Sequence, residues 1–194
     1  MDIVFATNNN HKLKEIRKLI GRPFRLLSLK DIAFHEEIPE DHNTLEENAS
    51  EKARIVFAVC GIPTFADDTG LEVESLNNKP GVFSARYAGN DQNDQANIRK
   101  ILRELKDIEN RKARFRTIIA LRWDTDKEML FEGMVNGMID TVPRGKHGFG
   151  YDPVFIPNGY DKSFAQLPLS IKNKISHRAH AFAKLDEYLK NHFV

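Results

Sequence analysis

The chain has 194 residues, of which 41% are hydrophobic and 29% are charged, a balance typical of a globular protein that excludes a disordered one. Its 29 Lys and Arg nearly cancel its 28 Asp and Glu, and a net charge of +1 argues against a dedicated nucleic-acid binder. A single cysteine excludes an intrachain disulfide, and no apolar run approaches the ~18 residues of a membrane span. We therefore expect one soluble, cytoplasmic domain over residues 1–194, with no membrane contact.

The predicted elements alternate between strands and helices in the first part of the chain. A buried strand at Asp2–Thr7 ends in three asparagines, and a helix with apolar residues at helical spacing follows it as far as Gly21. A second strand is predicted at Phe24–Leu29. The next helix begins after Thr44, which forms a capping box with Glu47 in which each side chain satisfies a free backbone amide.

This second helix has one apolar face, which only Lys52 interrupts, and the long stem of that lysine can lie along the face. Two strand pieces follow, Ile62–Ala66 and Leu71–Val73, on either side of the polar stretch Asp67–Gly70. The aspartates of that stretch are therefore expected at the end of a strand.

The second part of the chain predicts two helices and a hairpin. One helix is marked by apolar residues between Ile98 and Leu105, and the last runs from about Arg178 to His192. Between them, Ala113–Arg122 and Met129–Ile139 alternate as strands and are close enough to form a hairpin. The fold class is therefore α/β, with a mixed rather than a purely parallel sheet.

The loop Thr7–Lys12 lies between a strand and a helix, so backbone amides and the positive helix end are expected to point at one spot that suits a phosphate. Thr7 and Asn9 can donate side-chain hydrogen bonds, and Lys12 adds a full charge. The alternative is an ordinary asparagine-rich turn that caps the helix. The glycine spacing of a P-loop is absent.

Acidic residues cluster in two places. From Glu36 to Glu51 there are seven acids and no Lys or Arg, and a solvated acidic face explains most of them but explains Glu40 less well. The pair Asp67–Asp68 is more specific, because adjacent carboxylates repel unless a cation or a proton intervenes. Such carboxylates near a phosphate site hold Mg²⁺ or activate a water, although a simple Asp-Asp-Thr-Gly turn is the alternative.

The segment Pro143–Pro153 is rich in glycine and aromatic residues. Phe149, between two glycines, is a candidate stacking platform for a base, and Asp152 could accept hydrogen bonds from a base edge. The alternative is a glycine-rich hairpin loop with Phe149 folded into the core.

The stretch Lys172–Lys184 carries basic side chains and no acid. Ser176 is a candidate N-cap for the last helix, and His177 and Arg178 can donate to a carbonyl oxygen. Considered alone, the stretch would be a basic surface at a helix end.

Six blocks of the chain, in order, resemble the inosine/xanthosine triphosphate pyrophosphatase family, which acts on non-canonical purine nucleoside triphosphates. The blocks span nearly the whole sequence: Ala6–Lys12, Glu46–Ala49 with Lys52-Ala53, Ala66–Leu71, Pro80–Gly89, Gly148–Pro153, and Lys172 with Ile175–Arg178. One block alone is weakly specific, whereas six in order at family-like spacing are very specific.

The resemblance implies an elongated mixed β-sheet with flanking helices and two lobes around a central active-site cleft. It further implies a homodimer and Mg²⁺-dependent hydrolysis of ITP, dITP and XTP to the monophosphate and pyrophosphate. Residue by residue, it implies that the triphosphate is held by Thr7, Asn8, Asn9, Asn10, His11 and Lys12.

The remaining roles follow from the same resemblance. Asp68 matches the general base and a metal ligand, Glu40 matches the second metal-linked carboxylate, and Thr69 contacts the substrate. The base would be read by Phe149, Gly150, Tyr151, Asp152, Lys172, His177 and Arg178. Donors at His177 and Arg178 would favour the 6-oxo group of ITP and XTP over the amino group of ATP.

The chain departs from the family pattern at Gln166, where an acid is frequent, and in the loop Asp41–Asn43, which lacks a frequent glycine. Two other functions compete with this interpretation: a septum-formation-inhibitor-type nucleotide pyrophosphatase of related fold, and a non-catalytic nucleotide-binding module. The blocks around Phe149 and His177 argue against the first. Lys12, Glu40 and Asp68 together argue against the second.

Overall fold

The structure, a computed structural model, describes residues 1–194 and contains seven strands and five helices. The strands are β1 (Asp2–Phe5), β2 (Arg25–Ser28), β3 (Thr64–Val73), β4 (Lys79–Gly81), β5 (Lys112–Asp124), β6 (Lys127–Ile139) and β7 (Phe155–Pro157). The helices are α1 (Asn10–Arg17), α2 (Leu45–Cys60), α3 (Asp94–Glu104), α4 (Leu169–Ile175) and α5 (His177–Phe193). No helix is both long and apolar enough to span a membrane.

The strands form one sheet in the order β2-β1-β3-β5-β6-β7, and β4 pairs with β3. Strand β1 is parallel to β2 and to β3, with Phe5 opposite Phe65, whereas the β3–β4 and β6–β7 pairs are antiparallel. Only two residues, Thr125 and Asp126, join β5 to its neighbour β6, and such a short connection requires an antiparallel hairpin. The predicted α/β class with a mixed sheet is confirmed.

The chain divides into two compact units, each assembled from separate stretches of sequence. Unit 1 comprises Met1–Asp68, Thr117–Gly133 and Arg178–Val194, and unit 2 comprises Thr69–Arg116 and Met134–His177. Each unit has its own buried apolar cluster.

The core of unit 1 is built on the two parallel strands β1 and β3. The rings of Phe5 and Phe65 stack with centroids 4.6 Å apart, and Phe182 of α5 lies 6.2 Å from Phe65. Leu185 and Leu189, one and two turns further along α5, are also fully buried. The face predicted for the last helix is therefore confirmed, and it anchors the start of α5 next to β3.

The core of unit 2 contains an aromatic group from β5, β7 and the loop that follows. Phe115 contacts Phe155 at 4.7 Å between ring centroids, and Phe155 contacts Phe164 at 5.3 Å. Ile98 and Ile101 of α3 pack on the same cluster. Strand β5 runs through both units, and its one predicted face is buried throughout, with Ala113 and Phe115 in unit 2 and Thr117, Ile119 and Leu121 in unit 1.

The aspartate pair Asp67–Asp68 lies inside a strand, so the prediction of a strand end there is wrong. Strand β3 runs without a break from Thr64 to Val73, because its second half pairs with β4. Gly70 allows this close pairing, since a Cβ there would lie 2.6 Å from the carbonyl oxygen of Gly81. The aspartates nevertheless follow Phe65, the last partner of β1, and therefore lie beyond the carboxyl end of that parallel strand.

The helix boundaries follow the predicted caps with two differences. Thr44 caps α2 by accepting from the Glu47 amide at 3.2 Å, but the Glu47 carboxylate accepts from the Thr44 hydroxyl, at 2.8 Å, rather than from a backbone amide. Gly61 ends α2 in the left-handed conformation, as glycine favours there. Helix α1 ends at Arg17, before the predicted stop at Gly21.

Candidate active site

The loop between β1 and α1 places Thr7 and Lys12 beside the carboxyl end of β1. Asn9 caps the helix: its Oδ1 accepts from the amides of His11, at 2.9 Å, and Lys12, at 3.2 Å. The backbone amide of Asn9 in turn donates to Thr7 Oγ1 at 3.1 Å. The sequence predicted free backbone amides in this loop, but these three amides are not free, because the loop's own side chains accept from them. The Thr7 hydroxyl proton and the Asn9 side-chain amide keep their donor capacity. The neighbouring Asn8 and Asn10 are exposed.

Lys12 and Arg178 bind the two oxygens of Asp67. The Lys12 ammonium lies 3.0 Å from Oδ1, and the Arg178 Nε donates to Oδ2 at 3.1 Å. Arg178 also donates through Nη1 to Glu15 Oε2 of α1 at 2.5 Å. Arg178 is 2% exposed and Asp67 is 2% exposed, so this is a buried ion-pair network, which ties the start of α5 to α1 and β3.

This network explains the ionisation of Asp67. Burial alone would raise the pKa of its carboxyl, but the charges of Lys12 and Arg178 outweigh burial and hold that pKa well below its usual range. The pKa of Arg178 is raised, because Asp67 and Glu15 more than offset the effect of its burial. Asp67 is therefore ionised at neutral pH, and each of its oxygens binds one cation.

The neighbouring Asp68 has different partners. Its Oδ1 lies 3.3 Å from the Lys52 ammonium, and its Oδ2 accepts from the Asn48 side-chain amide at 3.2 Å. The same Lys52 ammonium donates to Glu40 Oε1 at 2.6 Å. One buried cation from α2 thus joins the two carboxylates that the resemblance assigns to a metal.

Because Lys52 is shared, Asp68 is less well neutralised than Asp67. Burial raises the pKa of Asp68 above its usual value, and the attraction of Lys52 does not fully offset it. Burial also acts to raise the pKa of Glu40. There, however, the charge of Lys52 and its hydrogen bond outweigh burial, and the pKa falls below its usual value. Lys52 itself keeps its charge, because Asp68 and Glu40 raise its pKa despite burial.

The donor set around Lys52 is compatible with one hard cation. The chain has no group of three or more His, Cys, Asp or Glu side chains arranged to hold a metal. Mg²⁺, however, is commonly bound through only one or two carboxylates, with water and substrate phosphates completing its shell. Glu40 and Asp68 already converge on one ammonium, so two carboxylates lie around a single positive charge there. An additional cation would therefore reduce the net negative charge.

In unit 2, the loop Gly148–Asp152 is folded around the Asp152 carboxylate. Its Oδ2 accepts from the Phe149 amide at 2.9 Å and from the Lys172 ammonium at 2.6 Å. A side chain at Gly148 would collide with it, since a Cβ there would lie 2.0 Å from the same oxygen and the φ of Gly148 is +81°. The Lys172 ammonium also lies 4.9 Å from the centre of the half-buried Phe149 ring, a cation–π contact.

Two further bonds fix the middle of this loop. The Gly150 amide donates to Asp94 Oδ2 of α3 at 2.7 Å, and the Tyr151 hydroxyl donates to the Ser84 carbonyl at 2.8 Å. Tyr151 is buried, and burial raises its pKa. Tyr151 therefore anchors the loop through its hydroxyl, and its predicted contact with a base stays a prediction.

The basic stretch before α5 is buried where it carries predicted site residues. Lys172, His177 and Arg178 are each at most 3% exposed, so the basic-surface interpretation is wrong for them. His177 stacks on Phe115, with ring centroids 4.6 Å apart and planes 20° apart, and therefore has a fixed orientation within unit 2. Thr69, next to Asp68 in β3, is half-buried.

Sequence reasoning missed three side chains of the site in unit 1: Glu15, Asn48 and Lys52. Lys52 carried a signal, because it is the one charged residue on the apolar face of α2, but only the position of its stem along that face was predicted. Asn48 lies one turn before Lys52 on the same face and is buried as well. Glu15 gave no signal, because its partner Arg178 is 163 residues away.

Comparisons with known proteins show the family of the chain. A model of the Ham1 family matches residues 3–188. The dITP/XTP pyrophosphatase of Christiangramia forsetii is 51% identical over 189 residues, covering 97% of this chain and 99% of that protein. The dITP/XTP pyrophosphatase of Bacillus subtilis is 46% identical over 192 residues, covering 97% of each.

A solved structure, that of the Staphylococcus aureus Ham1 protein, superposes with a TM-score of 0.90 at 36% identity, covering 98% of this chain and 99% of that one. The resemblance stated from the six sequence blocks is thereby confirmed. On the family match, the close relatives and the shared fold, the chain belongs to the Ham1 family.

Proposed function

We propose that this chain hydrolyses the non-canonical purine nucleoside triphosphates dITP, XTP and ITP to the monophosphate and pyrophosphate. The printed names of the relatives give dITP and XTP as substrates of those proteins. Within this chain, the observation that best supports the proposal is the state of Asp68. It is a buried carboxylate that shares its cation with Glu40 and has a raised pKa, as suits a general base.

In the proposed reaction, Asp68 orients a water and accepts its proton. The water oxygen forms a bond to the α-phosphorus, and the bond from that phosphorus to the oxygen bridging to the β-phosphate breaks. The products are the nucleoside monophosphate and pyrophosphate, and the leaving oxygen carries the negative charge. Lys12 holds the departing pyrophosphate, together with the Thr7 hydroxyl and the side chains of Asn8, Asn9, Asn10 and His11.

We propose Mg²⁺ as the cofactor, held by Glu40 and Asp68. A bound Mg²⁺ would neutralise part of the negative charge of the phosphates. Lys52 then acts as the organising cation between the two carboxylates. Asp67 plays a different part, because it fixes Lys12 at 3.0 Å and Arg178 at 3.1 Å and so orients the cationic groups of unit 1.

We assign recognition of the base to unit 2. Phe149 offers a half-buried ring, and Lys172 and Asp152 form an ion pair beside it with 2.6 Å between Nζ and Oδ2. His177 is held against Phe115 with its ring edge as the donor for a 6-oxo group. Thr69 and Gly150 contact the substrate in this proposal, and Tyr151 supports the loop.

Arg178 was expected to read the base as well. Its guanidinium is engaged by Asp67 and Glu15, so its main effect in the proposal is to hold those groups in place. On the family resemblance, we further propose that the protein acts as a homodimer in the cytoplasm.

One assay tests the proposal against both rivals. Purified protein is incubated with Mg²⁺ and ITP, XTP, dTTP or ATP, and released pyrophosphate is measured. Pyrophosphate from ITP and XTP but little from ATP is the expected result. Release mainly from dTTP would favour the septum-formation-inhibitor-type enzyme, and binding without release would favour a nucleotide-binding module. Repeating the assay with EDTA tests the metal, because activity is expected to disappear and to return with excess Mg²⁺.

A further inference from the structure

Asn48, in the first turn of α2, contacts both carboxylate-bearing segments of unit 1. It is 1% exposed. Its Oδ1 accepts from the His42 amide at 3.1 Å, and its Nδ2 donates to the His42 carbonyl at 3.4 Å. The same Nδ2 donates to Asp68 Oδ2 at 3.2 Å. One buried amide therefore joins α2, strand β3 and the loop that carries Glu40.

The orientation of this amide is determined by its partners. The His42 backbone N–H can only donate, so the atom facing it has to be the Asn48 carbonyl oxygen. The amino group then faces the His42 carbonyl and Asp68, which are both acceptors. A flipped amide would set donor against donor and acceptor against acceptor at all three contacts, so only one orientation fits.

This arrangement constrains both carboxylates at once. With Oδ2 bound to Asn48, the Asp68 carboxylate cannot rotate freely, and its Oδ1 stays toward Lys52. With both backbone groups of His42 bound, the loop is fixed two residues after Glu40, whose carboxylate reaches the same ammonium. Without Asn48, Lys52 alone would define the spacing of the two carboxylates.

We propose that Asn48 is a positioning residue for the reaction, which sets the orientation of Asp68 and the place of Glu40 relative to each other. The inference rests on the proposed function. Groups that orient metal ligands and catalytic carboxylates typically change metal affinity or activity about 10–100-fold when they are removed.

The chain offers a matched control. Asn97 of α3 is also buried, and it makes the same kind of bridge to a loop: it accepts from the Ala88 amide at 2.7 Å and donates to the Ala85 carbonyl at 2.8 Å. It contacts none of the carboxylates of the site. Asn97→Ala therefore removes an equivalent helix-to-loop bridge, with its effect on stability, but not the contact with Asp68.

The experiment compares Asn48→Asp, Asn48→Ala and Asn97→Ala with the wild type, at a temperature where all are folded. Asn48→Asp keeps the acceptor for the His42 amide, but it replaces the donor to Asp68 and to the His42 carbonyl with an oxygen that repels both. We expect kcat for ITP to fall about 10–100-fold in both Asn48 variants, with a higher Mg²⁺ concentration for half-maximal rate. The KM for ITP is expected to change little, and Asn97→Ala to keep a kcat close to that of the wild type.

A second readout uses the protein without metal or substrate. Hydrogen exchange of the segment that contains His42 is expected to accelerate in Asn48→Ala and to accelerate less in Asn48→Asp, which keeps the acceptor for the His42 amide. Wild-type kcat and Mg²⁺ dependence in Asn48→Asp, or equal losses in Asn97→Ala, would overturn the inference while leaving the proposed function intact. A wild-type protein that releases no pyrophosphate from ITP would instead overturn the proposed function, and this inference with it.

Discussion

Asp67 and Asp68 are adjacent in strand β3, yet their surroundings differ in almost every respect. Asp67 is bound by Lys12 and Arg178, one cation at each oxygen, and its pKa lies far below the usual range. Asp68 shares Lys52 with Glu40, and its second oxygen accepts a hydrogen bond from the neutral amide of Asn48. The pKa of Asp68 is raised. Successive side chains of a strand point to opposite faces, so two neighbours meet different partners.

The difference in partners and in pKa favours a different role for each aspartate. A carboxylate with two dedicated cations is a poor base, because it is strongly stabilised in its ionised form. It is, however, a strong anchor for the groups it binds. A carboxylate that is buried and only partly neutralised has a higher proton affinity and can accept a proton from water. We therefore propose a structural role for Asp67 and the role of general base for Asp68.

The largest expected effect is on turnover when Asp68 is neutralised. Asp68→Asn keeps the size of the side chain but removes the base, so kcat for ITP is expected to fall about 10²–10⁴-fold, the usual contribution of a general base. Pyrophosphate release measures it, and ITP binding should largely persist. Glu51→Gln, at another acid of unit 1 paired only with Arg54, is the control and should keep its activity. Near-wild-type turnover in Asp68→Asn would remove Asp68 from the mechanism.

The next effect is on stability, and it should be confined to Asp67. Asp67→Asn removes one of the two carboxylates that bind the buried Arg178, and breaking a buried ion pair in this way costs about 3–5 kcal/mol of unfolding free energy. Urea unfolding measures the change. Asp68→Asn is expected to leave the free energy of unfolding unchanged or slightly higher, because it removes a carboxylate whose burial is unfavourable. Equal losses in the two variants would contradict the division of tasks.

A smaller effect is expected at Phe149, which touches neither aspartate. Phe149→Leu keeps an apolar side chain but removes the aromatic face, and base stacking is worth about 1–3 kcal/mol. The KM for ITP should rise by the corresponding factor while kcat changes little, which steady-state kinetics would show. Phe83→Leu, at an exposed phenylalanine of the same unit, is the matched control. A fall in kcat without a change in KM would argue against a stacking role.

The smallest effect is a pH dependence of opposite sign at the two aspartates. The folded pKa of Asp67 lies below the unfolded value of ~3.9, so its stabilisation is complete above that value and is lost as the pH falls. The folded pKa of Asp68 lies above it, so ionisation of Asp68 destabilises the fold as the pH rises from ~4.

Urea unfolding of the metal-free wild type and the two Asn variants, from acid to neutral pH, measures both trends. The deficit of Asp67→Asn should shrink toward acid pH, and any gain of Asp68→Asn should appear only above ~4. If the free energy of unfolding changed with pH in the same way in both variants, the two aspartates would not have pKa shifts of opposite sign.

Local features of the site were predictable from the sequence, because short-range rules govern them. The caps at Asn9 and Thr44, the alternation along β5 and the apolar face of α5 all depend on neighbours within a few residues. The family resemblance added the prediction, which stays a prediction, that Asp68 and Glu40 are functional carboxylates. Those predictions required no knowledge of how distant segments pack.

The partners of these carboxylates were not predictable in the same way. Arg178 meets Asp67 across 111 residues of chain, and Lys52 meets Asp68 because α2 packs beside β3. Neither contact leaves a local pattern. The continuous path of β3 through Asp67 and Asp68 also depends on its pairing with β4, which the sequence did not indicate, so a turn at Asp67–Gly70 remained as the alternative.

The most direct test of the account is a carboxyl titration of the two aspartates by NMR, in metal-free protein with ¹³C-labelled aspartate and with Asp67→Asn and Asp68→Asn used for assignment. We predict that Asp68 titrates above the ordinary aspartate value of ~3.9 and that Asp67 titrates below it. A common midpoint for both residues, or the reverse order, would contradict the assignment of structure to Asp67 and chemistry to Asp68.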